Sequence, residues 1–206
     1  MTVTSTQKCF VFQSCLFLLP LLSTFAFGET AKVENSFPIS STSIKFEAST
    51  NALGMKIRGQ TESCKGQVEA DASRLPKKAH LEINPESLKT GMDMRDRHMR
   101  EKIFTSPEVT TATGKTEKSL PPIVIDLSEI SCDQKVAPVV CSAKGTLNLR
   151  NKTNPVALTG NLELSNGKSK ASGKTVIKLS DYAIEAPSQL GVKVKDEVEI
   201  SFEVSY

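Results

Sequence analysis

Four consecutive polar residues, Arg95-Asp96-Arg97-His98, form the densest group in the chain able to do chemistry. An arginine fork presents paired N–H donors that suit a phosphate or carboxylate. Arg95, Arg97 and His98 are therefore candidates for holding the polar head of an amphiphile. A solvated helix face with internal ion pairs, pinning a helix to its sheet, has the same composition and is the commoner origin of such a run. Met92, Met94 and Met99 stand around the cluster. Their flexible thioethers suit a deformable apolar entrance or ordinary packing under a helix.

Other chemistry fails on spacing. His80 and His98 are isolated, and no CxxC or HxxxH pattern occurs, so the ligand sets of a zinc centre are missing and no metal is expected. Gly167 to Thr175 imitates a phosphate-binding loop. Its spacing is off by one residue, and a strand pattern follows where a helix N-terminus is needed. There is no Gly-x-Ser-x-Gly elbow, and no Cys or Ser has a nearby His in sequence to activate it. These readings point away from an enzyme. Charges of both signs are interspersed and the net charge is only +3, with no basic stripe, so nucleic acid is not an expected partner.

The elements that must position these residues are mostly strands. Ile44, Phe46 and Ala48 alternate with Lys45 and Glu47, the period of a half-buried strand. Leu53–Arg58, Gln60–Ala70 and His80–Asn84 continue in this way, with Gly54, Gly59 and Gly66 as expected bulges or coiling points. Pro85 to Leu88 reads as a first helical turn, and Asp93 to Phe104 as a second helix, stopped by Pro107. Glu108–Lys118 and Ile123–Leu127 are further strand candidates. From Val139 onward the chain is β, with Asn166-Gly167 as a hairpin signal. Val198, Ile200, Phe202 and Val204 give the last strand one dry face. About eight strands with one helical interruption predict an all-β sandwich or closed barrel. An eight-stranded barrel has room for one small ligand.

The ends and the cysteines set the compartment. Lys8 precedes an apolar run from Phe10 to Phe27 that ends in Ala26-Phe27-Gly28, a pattern suited to signal peptidase. Residues 1–28 are expected to be a cleaved signal peptide and residues 29–206 one domain, located in the periplasm or secreted. Glu29 to Ser43 reads as a polar leader, and no second apolar span follows. In an oxidising compartment Cys132 and Cys141, which flank a short Pro-containing segment, are expected to pair locally. Cys64 is then left over as a small buried apolar residue, although sequence leaves it free to take either partner.

Four stretches resemble the YceI family in order and rough spacing. They are Ser43-Ile44-Lys45-Phe46 with Gly66-Gln67-Val68; Thr90-Gly91-Met92-Asp93-Met94-Arg95-Asp96-Arg97-His98-Met99-Arg100-Glu101; Gly145 to Leu149 with Asn154 to Leu158; and Leu179 to Ile184 with Lys195 to Ile200. The second is the most specific. The resemblance implies an exported, eight-stranded antiparallel lipocalin-like barrel with a short helical segment near 85–104. It implies a partner that is an amphiphilic lipid, such as a quinone or prenyl phosphate, held in an interior tunnel, and often a homodimer. Beyond a bound polyisoprenoid or quinone-like lipid no cofactor is implied. The chain departs from the family pattern in having no Trp and few Phe, and Thr110-Thr111 where an aromatic is usual. A longer stretch from Gly114 to Val140 is expected to cover a barrel mouth.

On this reading the protein sequesters or carries a lipid. Phe46, Leu81, Ile83, Met99, Leu147, Leu149, Ile177, Ile200 and Phe202 are the expected tail-lining residues. The alternative is a filled barrel that binds a protein or surface partner through its loops. An open interior separates the two.

Overall fold

The computed structural model describes residues 35–106, 109–110, 116–134, 138–165 and 167–206. The expected signal segment 1–28 lies outside these, as do Pro107, Glu108, Thr111 and Asn166. In chain order the strands are β1 (Asn35–Pro38), β2 (Ser41–Thr50), β3 (Lys56–Thr61), β4 (Cys64–Ala70) and β5 (Pro76–Ile83). A 3-10 turn (Pro85–Ser87) and helix α1 (Asp93–Met99) follow, and α1 runs on into a π-helical turn (Arg100–Phe104). After a two-residue pair, β6 (Val109–Thr110) and β7 (Thr116–Glu117), come β8 (Ile123–Asp133), β9 (Val139–Leu149), β10 (Lys152–Ser165) and β11 (Lys168–Lys178). A 3-10 turn (Leu179–Tyr182), β12 (Ser188–Gln189) and β13 (Val192–Ser205) complete the chain. Among the described residues no helix is long and apolar enough to cross a membrane.

All ladders of the main sheet are antiparallel, in the order β1-β4-β5-β8-β9-β10-β11-β13-β2-β3. The two ends of that order belong together. β1 pairs with β4 as Asn35↔Ala70 and Phe37↔Val68, while β2 pairs with β3 as Ile44↔Thr61 and Phe46↔Gly59. Both sets keep one register. β1–β2 is therefore a single stave broken at Ile39-Ser40, and β3–β4 is its partner, broken at Glu62-Ser63. Across the break Ile39 N donates to Gly66 O at 3.1 Å and Thr42 Oγ1 to Glu62 O at 2.9 Å. Counted this way, the described residues form eight staves in a closed circuit, in which the short β1 and β3 each pair on one side within the main sheet.

Two expectations about boundaries are corrected. Glu29–Ser43 is not all leader, because Asn35–Pro38 is already in the sheet. Within the stretch Gly114–Val140, Ile123–Asp133 is not cover but a full stave. Its apolar residues Ile123, Ile125 and Leu127, then Ile130 after a register shift at Leu127/Glu129, keep turning to one face. A bulge of this kind hides a strand's period from simple alternation.

Residues directly opposite in an antiparallel ladder share a face. The ladders thus define one inner surface: Phe46 beside Ile200, Ile177 beside Val198, and Leu81 beside Ile125, which in turn faces Leu147. Buried apolar residues gather at both ends. At one end Leu88, Met99 and Phe104 of the helical segment pack on Leu147, Leu149, Leu179 and Tyr182. At the other, Val68, Ala70, Leu75, Leu162 and Tyr206 pack together. Arg74 closes this second end, with its guanidinium 4.2 Å from the Phe37 ring centre and Nη2 donating to Tyr206 O at 2.8 Å.

Candidate functional site

Between the two ends lies a cavity of about 810 Å³. Its wall is built from the inner face of the staves. On one side stand Leu81 and Ile83 of β5, Ile123 and Ile125 of β8, and Leu147 and Leu149 of β9. On the other stand Phe46 of β2, Ile177 of β11, and Ile200 and Phe202 of β13, with Met99 of α1 at the helical end. The nine residues named from the sequence for an apolar tail therefore meet around one space. Leu81, Ile83, Met99, Leu147 and Leu149 are buried, while the other four are half-buried. Sequence reasoning missed Ile123, Ile125, Val156 and Val194, all of which share the wall.

Glycine shapes the interior as much as the aromatics do. The inner face carries Gly59 opposite Phe46 and Gly173 opposite Phe202. A Cβ at Gly59 would stand 2.4 Å from Phe46 Cε1 and Cζ, and one at Gly173 would stand 2.7 Å from Phe202 Cζ. Each ring packs against the backbone of the neighbouring stave, in the space that a side chain there would fill. This keeps the middle open despite two aromatic rings in its wall.

The polar part of the wall lies at the helical end. α1 and the turn after it place Arg95, His98 and Lys102 on the cavity. Spacings of three and seven residues bring these positions to one face of a helix. Arg97 falls on a different face, where it is exposed and does not line the cavity. Of the three residues named from the sequence for a polar head, Arg95 and His98 line the cavity and Arg97 does not, while Lys102 lines it with them. A helix turned through 3.6 residues separates neighbours that look adjacent in the run. Among the described residues, no Asp or Glu lines the cavity. Arg95 Nη2 also donates to Met92 Sδ at 2.9 Å, and Met92 and Met94 are exposed on the rim.

Asp96 is the one member of the cluster that is fully committed inside the protein, at 2% exposure. Its Oδ1 accepts from Thr90 N at 2.7 Å and from Thr90 Oγ1 at 2.6 Å. Gly91, at φ +81°, makes the turn that brings Thr90 back over the helix. Lys89 in turn bonds Gln60 of β3 through both backbone groups, at 2.8 and 2.9 Å. Burial pushes the Asp96 carboxyl up. The Thr90 hydrogen bonds and the charges of Lys89 and Arg100 outweigh that and hold it below the usual carboxylate range. The reading of the cluster as a pin for the helix therefore describes Asp96, while Arg95 and His98 face the cavity.

Two of the described cysteines pack on the inner side as well. Cys132 and Cys141 are joined across β8 and β9, and Cys141 touches the cavity. Cys64 is unpaired, and burial pushes its thiol up to about 11. It is a poor nucleophile in that state, since the thiolate is the reactive form. His80 is on the outer surface, where Nδ1 lies 2.6 Å from Asp126 Oδ1.

The model of the YceI-like domain matches residues 37–206. The chain belongs to the YceI family. Solved structures with the same fold include BcnA from Burkholderia cenocepacia, at 16% identity and TM-score 0.60, covering 80% of this chain and 96% of that one. A polyisoprenoid-binding domain from Saccharophagus degradans, implicated in plant cell wall breakdown, has 16% identity and TM-score 0.58, covering 82% and 96%. A YceI protein of Campylobacter jejuni has 19% identity and TM-score 0.52, covering 73% and 84%. No curated protein matches the chain in sequence. The strand architecture expected of a YceI-type chain is thus the one found, counted as eight staves where the strands themselves are more numerous and shorter.

Proposed function

We propose that this YceI protein binds and carries a long-chain amphiphile, of polyisoprenoid, quinone-like or fatty-acid type, inside its barrel. The observation that carries the reading is the open apolar interior. A cavity of about 810 Å³ lies within the roughly 300–1,000 Å³ of small-molecule sites, and a filled barrel would have none. It therefore favours a carrier over a filled module that works through its loops. The polyisoprenoid binding named for the Saccharophagus degradans domain supports the same class of ligand.

The tail would lie along Phe46, Leu81, Leu147 and Ile200, with its head at Arg95, His98 and Lys102. Each methylene withdrawn from water contributes about 0.8 kcal/mol, so a prenyl tail offers more than the ordering and desolvation costs of binding consume. The reading is of binding and not of a reaction, with Arg95, His98 and Lys102 as the ionisable side chains that line the mouth among the described residues. Residues 1–28 direct export, and the mature protein works in the periplasm or outside the cell. A homodimer is consistent with this role.

Native mass spectrometry of the purified protein, followed by organic extraction, tests the proposal. A discrete bound mass of prenyl or other long-chain type is expected. A bare protein mass, unchanged after incubation with quinones, prenyl phosphates and fatty acids, would overturn it.

A further inference from the structure

Eight large apolar side chains are exposed among the described residues, and five of them stand at the helical end of the barrel: Leu53, Met55, Met92, Met94 and Leu190. They come from three separate connections, the β2–β3 turn, the start of α1 and the β12–β13 turn. Met55, Met92, Met94 and Leu190 also line the cavity, so they form its rim. Single exposed apolar residues are ordinary; a contiguous group is a sign of something that covers it.

Two of these residues sit at the very tips of turns. Leu53 is 105% exposed and Leu190 is 96% exposed. Leu190-Gly191 is a two-residue hairpin turn with both residues at positive φ, +51° and +80°. Asn-Gly suits such a turn, whereas a leucine at positive φ is sterically unfavourable. The chain thus keeps a bulky apolar side chain at a position where both backbone and solvent disfavour it. The two tips are also tied together. Asn51 N donates to Lys193 O at 2.9 Å, Asn51 Oδ1 accepts from Lys193 N at 2.7 Å, and Asn51 Nδ2 donates to Gly191 O at 3.1 Å. The pair is held as a unit beside the mouth.

Charge decides what the rim faces. Arg95 and Lys102 stand inside the same mouth, and no carboxylate among the described residues lines it. An apolar rim backed by cations complements a lipid surface with anionic headgroups. We infer that the helical end of the barrel docks on an anionic membrane, with Leu53 and Leu190 dipping into it, so that a lipid passes between bilayer and cavity without crossing water. The docking rests on the rim and not on the identity of the cargo.

The chain contains no Trp, so Leu53→Trp supplies a single local reporter in the protein as its host delivers it. The probes are phosphatidylcholine vesicles with and without phosphatidylglycerol. The expected result is an emission shift to shorter wavelength, with quenching by bromine-labelled lipid, on the anionic vesicles and less of both on the neutral ones. Leu190→Asn and Leu53→Ser should each weaken partitioning about tenfold, the scale set by one leucine leaving water. Leu190→Asn should do so with thermal stability kept or raised, since Asn suits the turn. Emission from the Leu53→Trp protein that stays unshifted with anionic vesicles, in a normally folded chain, would overturn the inference. So would a homodimer, abolished by Leu53→Ser, that buries the rim and leaves vesicles unbound. Leu53 does not line the cavity, so uptake of a fluorescent fatty acid or prenyl alcohol without vesicles is read in parallel. Uptake without docking sinks this inference alone; docking without uptake sinks the carrier reading alone.

Discussion

The Phe46 ring covers Gly59 of the facing stave, leaving no room there for even a methyl group: an added Cβ would lie 2.4 Å from the ring. The contact holds a bulky side chain against the wall of a hollow barrel. Gly59→Ala should therefore force the ring inward or shift the backbone. Overpacking of this kind costs about 1–3 kcal/mol. Urea unfolding is expected to show that loss, and Phe46→Leu in the same chain should recover part of it. Additive losses in the two variants would mean that the ring and the glycine are not coupled.

Reduction of Cys132–Cys141 gives a second test. The bond links neighbouring staves nine residues apart in sequence. Closing so short a loop in the unfolded chain is worth about 2–3 kcal/mol in the chain-entropy model. Thermal unfolding with and without dithiothreitol should differ accordingly, and the Cys132→Ser/Cys141→Ser variant should match the reduced protein. An identical Tm in both states would show that the ladder alone holds β8 to β9.

Asp96 sets a pH dependence of stability. Its carboxyl is depressed in the folded protein relative to the ordinary 3.8. The sign follows from linkage: a depressed carboxyl stabilises the fold above its unfolded value, and the contribution is lost as pH falls through the folded one. The loss should therefore appear below about pH 4, the ordinary aspartate value. Asp96→Asn should be less stable than the parent at pH 7, and the difference should shrink as pH falls below that value. A gap that stays constant across that range would assign the effect to packing and not to charge. The readout is the chemical shift spread of Met99 and Phe104, which pack behind the helix, together with the unfolding midpoint.

What the sequence made legible follows from period. Strands such as β13 and β9 alternate cleanly, so the inward set Leu147, Leu149, Ile200 and Phe202 could be read from it; the same alternation placed Phe46, Leu81 and Ile83. The closure of the ring was not legible. Its seam is the β1–β2 stave, which is interrupted at Ile39-Ser40 and begins in polar residues that resemble a leader. Lys102 stands outside the run for a geometric reason: the sequence orders the cluster along the chain, while the cavity sees one face of a helix. The role of Asp96 depends on a turn at Gly91 that returns Thr90 to it, and nothing in local spacing announces such a return. Whether the barrel is open depends on where Gly59 and Gly173 fall opposite Phe46 and Phe202. In sequence Gly59 reads only as a place where a strand bulges or coils, and Gly173 as part of the stretch that imitates a phosphate-binding loop.

The cations at the mouth distinguish ligand heads. Arg95 and Lys102 share a helix face with His98 and meet no carboxylate on the cavity wall among the described residues. If the head of the carried lipid is anionic, as in a fatty acid or a prenyl phosphate, it is held by charge-assisted hydrogen bonds of about 1.5–3 kcal/mol each. Lys102→Glu or Arg95→Glu should then weaken an anionic ligand by about tenfold or more, the low end of that range. A neutral prenyl alcohol of the same tail length should bind the variant and the parent alike, since the apolar wall is untouched. Added salt should narrow the gap between the two proteins for the anionic ligand, because charges near the solvent are screened over about 8 Å at physiological ionic strength. Competitive displacement of a fluorescent long-chain probe reads all four cases. Equal weakening of the charged and neutral ligands would mean that the substitutions disturb the helix and not the head-group site. No weakening of either would place the head elsewhere along the wall and leave Arg95 and Lys102 to the surface on which the mouth docks.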